Sequence, residues 1–161
     1  MRLDRSQIRI ILSHPAGWIA SGLGSGLSPY APGTVGSLAA LLLHFWLREL
    51  PWPVYLVVIA AVFLLGTWAA QVMITRLRIA DPGFIVIDEF VGQWLALIFV
   101  PHDWRWVIAG FVLFRVLDIA KPWPISWADR EIHGGFGVMF DDAIAGALAG
   151  LVLFLLATAS A

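Results

Sequence analysis

The stretch VYLVVIAAVFLLGTWAAQVMI, residues 54–74, constrains this chain more than any other. It carries no charged side chain, and a helix of that length reaches across the roughly 30 Å hydrocarbon core of a bilayer. The remainder has the same character: of 161 residues, 60% are hydrophobic and 13% charged, and the mean hydropathy is +0.86. Soluble domains hold roughly 45–50% apolar residues, and one of this size could not bury so much apolar surface. The expected fold class is therefore all-α, a multi-pass helical bundle in a lipid bilayer, made as a single domain over residues 1–161. A net charge of −1 offers no field that would attract nucleic acid. The absence of cysteine excludes a thiolate nucleophile and any Cys-ligated metal.

The first residues, MRLDRSQIRIILSHPAGWIASG, begin basic as a signal peptide does. Arg9, His14, Pro15 and Gly17 interrupt the apolar run, however, and no small-residue cleavage site follows. The segment reads as one amphipathic stretch at a membrane surface. After the Gly- and Ser-rich loop SGLGSGLSPYAPGTVGS come five apolar runs: LAALLLHFWLREL, then residues 54–74, 90–100, 106–114 and 143–159. About five short-to-medium helices are expected, three of them below the ~20 residues of a straight crossing.

If each run crosses once, the connecting loops alternate sides. One side then receives Arg2, Arg5, Arg9, Arg76, Arg78, Arg115, Lys121 and Arg130, leaving Arg48 and Arg105 on the other. Lys and Arg collect on the cytoplasmic side, so the charged face is expected there. The acidic motifs share that face, which makes a single polar site geometrically possible.

Asp88 and Glu89 are expected to open one helix, and Asp141 and Asp142 another. Helix capping accounts for one carboxylate at each start, not for two. Asp118 falls at a helix end, where the dipole disfavours it, and Arg115 is its i,i+3 partner. Five carboxylates at one membrane face repel one another unless a cation lies between them. An all-oxygen set of this kind suits Mg²⁺, so Asp88, Glu89, Asp118, Asp141 and Asp142 are the candidate ligands. In KPWP, Pro122 should push Lys121 out of helical geometry into an extended segment. Arg115 and Lys121 together could clamp a phosphate. Gly33 and Thr34, in SPYAPGTVGS, could bring backbone N–H groups close to that anion, with Thr34 or Ser37 capping the next helix. His133, beside Gly134 and Gly135, is a candidate proton donor.

The chain resembles the phosphatidylglycerophosphatase A family, small integral-membrane lipid phosphatases of bacteria. The resemblance runs through GSGLSPYAPGTVGSLAA, DEFVGQW and AGFVLFRVLDIAKPWPISWADREIHGGFGVMFDDAIAG, nearly the whole chain after its first twenty residues. It implies an all-helical membrane fold, Mg²⁺ dependence, and hydrolysis of phosphatidylglycerol phosphate to phosphatidylglycerol and inorganic phosphate. It carries onto Gly33, Thr34, Asp88, Glu89, Arg115, Asp118, Lys121, His133, Asp141 and Asp142. The implied location is the bacterial inner membrane with the site towards the cytoplasm. The implied partners are the lipid substrate and the bilayer.

Elimination narrows the chemistry. Neither an Asp-x-Asp nucleophile motif nor a Pro-Ser-Gly-His motif is present, which leaves metal-assisted attack by water, with a carboxylate orienting the nucleophile. Two other classes remain to be separated. A CDP-alcohol phosphotransferase would show Asp-Gly-x-x-Ala-Arg, which is absent. A transporter would place charges at mid-helix or in two matching halves.

Overall fold

The structure, a computed structural model, describes residues 3–80 and 82–160. Arg2, one of the basic residues counted above for the charged face, lies outside them. Among the described residues the chain is all-helical: α1 (Arg5–Leu12), α2 (Pro15–Ala20), α3 (Pro32–Leu47), α4 (Trp52–Leu77), α5 (Ile87–Leu97), α6 (Trp104–Ala120), α7 (Ile125–Glu131) and α8 (Gly134–Ala159), plus a 3-10 turn at Ser25–Leu27. That is more than the expected five helices. The additional ones are α1, α2 and α7, which are short and sit outside the apolar runs. The amphipathic entry is in fact two helices, because Asp4 and Gln7 close a capping box on α1 and Pro15 starts α2 afresh.

α3, α4, α5, α6 and α8 run alternately between two ends. His44, Trp52, Ile98, His102 and Val107 meet at one end, and Ile74, Asp88, Asp118 and Asp141 meet at the other. Two helices, α4 and α8, are long and apolar enough to cross a membrane. Much of their apolar surface points outward, with Val57, Leu64, Leu65, Leu151 and Leu155 exposed. A soluble core helix would bury such residues; lipid needs no such burial.

α5 lies at the centre, and nine of its residues from Ile87 to Leu97 are buried. Small residues let its neighbours approach. Gly146 of α8 lies directly against the backbone of Gly92, and a Cβ at Gly146 would collide with the Gly92 carbonyl. A Cβ at Gly92 would strike the ring of Phe114 and, at 2.8 Å, the Asp142 carbonyl oxygen. The Trp94 indole then fastens α5 to α3 by donating to the Ala40 carbonyl at 2.9 Å. Gly83, by contrast, has open space around it.

Gly146→Ala must force α5 and α8 apart, and overpacking of this kind costs about 1–3 kcal/mol. Gly83→Ala is expected to be close to neutral. Thermal unfolding of both variants in detergent tests the contact; equal melting temperatures for the two would contradict it.

Candidate functional site

The polar end of the bundle opens into a cleft of about 360 Å³ lined by Asp88, Glu89, Asp118, Lys121, Asp129, His133, Asp141 and Asp142, with Gly134 and Gly137 behind them. Every residue expected to act as acid, base or ligand is therefore in one place. Three helices deliver them. Asp88 and Glu89 lie in the first turn of α5. Asp118 lies in the last turn of α6, and Lys121 caps it. His133 is the N-cap of α8.

Asp141 and Asp142 arrive differently from expectation. They do not open α8, which begins at Gly134, but sit two turns inside it, both buried. The break after His133 is a glycine corner: Gly134 takes φ +74°, and the Gln71 side chain of α4 accepts the Gly135 N–H at 2.9 Å. A helix cap cannot account for carboxylates placed there, so the reading of Asp141 and Asp142 as helix-start acids is corrected.

Glu89 and Asp118 share one cation. Arg115 Nη1 donates to Glu89 Oε2 and, at 2.8 Å, to Asp118 Oδ2. Ser37 donates to the same Glu89 oxygen at 2.7 Å while also bonding the Gly33 carbonyl at 3.0 Å. Ser37 and Thr34 are thus inside α3 and cap nothing; α3 starts at Pro32 behind Ala31, whose φ is +43°. Gly33 does stand at the site, but against Glu89 and Arg115: a Cβ there would press on Glu89 Oε1 and come within 3.2 Å of Arg115 Nη2. Arg115 is consequently committed to two carboxylates and does not line the cleft. The expected Arg115–Lys121 clamp is not formed.

Lys121 also departs from the extended geometry expected before Pro122. It takes the left-handed conformation, φ 43° and ψ 55°, and its N–H returns to the Leu117 carbonyl at 2.8 Å. Proline disfavours the right-handed helical region for its predecessor, and the helix end here meets that restriction with an αL cap. The turn directs Nζ to Asp141 Oδ2 at 2.6 Å and to Asp129 Oδ1. Burial works against its charge, but the hydrogen bonds to Asp129 and Asp141 outweigh that and hold its pKa above the ordinary lysine value. Lys121 is therefore charged across the whole physiological range.

The other acids have no such partner. Among the described residues no basic group lies within ion-pair distance of Asp88 or Asp142. Asp142 feels the charges of Asp88, Glu89 and Asp118, and Asp141 Oδ1 is buried without a hydrogen-bond partner. This donor set is hard oxygen throughout and short of positive charge, so it fits a hard divalent cation in kind. Among the described residues, however, no three such side chains yet close on one point; a bound cation would have to draw them together.

Ser37 and Asp129 are the polar partners that reading the sequence did not assign to the site. Ser37 carried a signal, since it lies one turn after Gly33 on the same helix. Asp129 carried less: its place depends on the short helix α7, whose Ile125 and Ala128 are fully buried.

The fold and cleft define a class, an apolar helical protein with a carboxylate-rich site at one end of its bundle. Residues 18–157 match the phosphatidylglycerophosphatase A family, and the chain belongs to that family. It is 44% identical to phosphatidylglycerophosphatase A of Escherichia coli over 95% of this chain and 90% of that one. It is 42% identical to phosphatidylglycerophosphatase A of Haemophilus influenzae over 91% of each. A Bacteroides thetaiotaomicron protein provisionally named a phosphatidylinositol-3-phosphatase is 42% identical over 80% of this chain and 84% of its own. No solved structure matches.

Arg115→Met would leave Glu89 and Asp118 without their cation in an apolar surround, a change that typically costs about 3–5 kcal/mol. A large fall in melting temperature is expected, well beyond that of a surface variant such as Arg76→Met. Melting of Arg115→Met comparable to that of Arg76→Met would show that the Arg115 pairs do not hold the bundle.

Proposed function

We propose that this chain is a Mg²⁺-assisted lipid phosphatase. It hydrolyses phosphatidylglycerol phosphate to phosphatidylglycerol and inorganic phosphate, working at the cytoplasmic face of a bacterial inner membrane. Membership of the family makes it a phosphoric monoester hydrolase. The observation that carries the finer reading is the cleft itself: unpaired carboxylates beside a charged Lys121, at one end of a bundle with lipid-compatible flanks. The location is supported by Arg76, Arg78 and Arg130, which accompany the cleft's end of the chain, since basic residues collect on the cytoplasmic side. The five alternating helices are read as passes, of which α4 and α8 have full length.

In this mechanism Asp88, Asp142 and the free oxygen of Asp141 would hold the metal, with Glu89 and Asp118 beside them. Bound there, Mg²⁺ would supply positive charge to the phosphate and make its phosphorus more electrophilic. The protein supplies the rest. Lys121 has one N–H left after its two carboxylate partners and presents it to a phosphate oxygen. Arg115 fixes Glu89 and Asp118 so that neither swings into the space the phosphate needs. A carboxylate at the cleft orients the attacking water, and exposed His133 at the rim can return a proton to the glycerol oxygen as it leaves.

Phosphate release from phosphatidylglycerol phosphate, phosphatidic acid and phosphatidylinositol 3-phosphate, with and without Mg²⁺, tests the proposal. The expected result is strict metal dependence and a preference for phosphatidylglycerol phosphate. Full turnover in excess chelator would remove the metal from the mechanism, and preference for the inositol lipid would reassign the substrate. Asp118→Asn should lose metal affinity. Lys121→Ala should raise KM and lower turnover while metal affinity stays. Wild-type turnover per folded molecule in both would remove them from the site.

A further inference from the structure

Lys121 is the basic side chain lining the cleft among the described residues, and its two carboxylate partners are unequal. The Asp141 side chain is 9% exposed, whereas that of Asp129 is 44% exposed. Taking the ammonium from Asp141 would leave a buried carboxylate with no cation, a large penalty. Asp129, once released, is solvated by water at little cost, because exposed ion pairs are weak. A phosphate that accepts the third N–H of Lys121 arrives beside two carboxylates, and the repulsion among the three anions is relieved at least cost by displacing Asp129 from the ammonium.

We infer that Asp129 is the exchangeable counter-ion of Lys121: the phosphate of the lipid displaces it on binding, and it recaptures the ammonium as inorganic phosphate leaves. The inference deepens the phosphatase reading and rests on it for the identity of the anion. No covalent bond changes and no proton moves; Lys121 stays charged and trades one oxygen acceptor for another. The fold keeps the partner close throughout. The left-handed turn at Lys121 leads through Pro122 and Pro124 into α7, whose Ile125 and Ala128 pack fully buried, so Asp129 stays beside the ammonium on an anchored helix. Asp129 is thus a positioning residue that tunes affinity for substrate and product phosphate alike.

The test is titration of inorganic phosphate into the purified full-length chain in detergent, for wild type, Asp129→Asn, Asp129→Glu, Lys121→Gln and the Asp129→Asn/Lys121→Gln pair. It is run alongside steady-state phosphate release. Asp129→Asn is expected to bind phosphate about twofold to fivefold more tightly, the scale set by an exposed ion pair. KM for the lipid monophosphate should fall by a similar factor and inhibition by phosphate should strengthen, while Asp129→Glu stays near wild type. The gain should disappear when Lys121 is also replaced. Unchanged or weaker phosphate binding by Asp129→Asn would overturn the inference, since a purely structural Asp129 would alter melting alone. No measurable phosphate binding by wild type, or a gain that survives loss of Lys121, would overturn it equally. Should the expected binding shifts appear while no lipid monophosphate is hydrolysed, the exchange stands and the hydrolase reading falls.

Discussion

Arg115 stands where α3, α5 and α6 meet, and the polar end of the molecule is arranged around the need to satisfy it. One guanidinium holds Glu89 of α5 and Asp118 of its own helix, in surroundings where an ion without a partner is costly. The requirement spreads outward from there. Gly33 has to be glycine for α3 to lie against the pair, and Ser37 has to turn inward to complete the hydrogen bonding of Glu89. With Arg115 engaged in this way, the remaining carboxylates of the cleft have, among the described residues, only the Lys121 ammonium to offset them. The positive charge of this end is thereby divided between two cations of different exposure.

A second constraint brings the two acidic pairs together. Asp88 and Glu89 are on α5, while Asp141 and Asp142 are on α8, and ordinary side chains between those helices would hold them apart. Gly92 against Gly146 removes that spacing. The approach that packs the centre of the bundle is therefore also what concentrates negative charge at its end. Small residues at the helix interface thus bring the two acidic pairs near one another without lining the cleft themselves.

The all-helical class and the clustering of the acids were legible in the sequence, because hydropathy locates long apolar helices and alternation of sides groups the loops between them. The Arg115–Asp118 pair was legible from spacing alone. What failed was local. Asp141 and Asp142 looked like helix openers because the glycines before them read as loop, and only the Gln71 contact to Gly135 shows those glycines to be the first turn of α8. Lys121 looked extended because proline restrains its predecessor; the left-handed alternative satisfies the same restraint and reverses where the amine points. Partners distant in sequence, such as Ser37 for Glu89, leave no periodic trace. They are set by which helix faces which.

α5 spans 11 residues, a rise of about 16 Å, roughly half of a hydrocarbon core. Its first turn nevertheless carries the acids and its last turn reaches the opposite end of the bundle. α5 is packed inside the bundle, so its shortness acts on the protein itself: the polar end has to come inward to meet it. Asp141 and Asp142 do the same from α8, lying two turns, about 11 Å, beyond its start. The carboxylates thus lie at the floor of a recess, and an ion that reaches them has left most of its surrounding water behind.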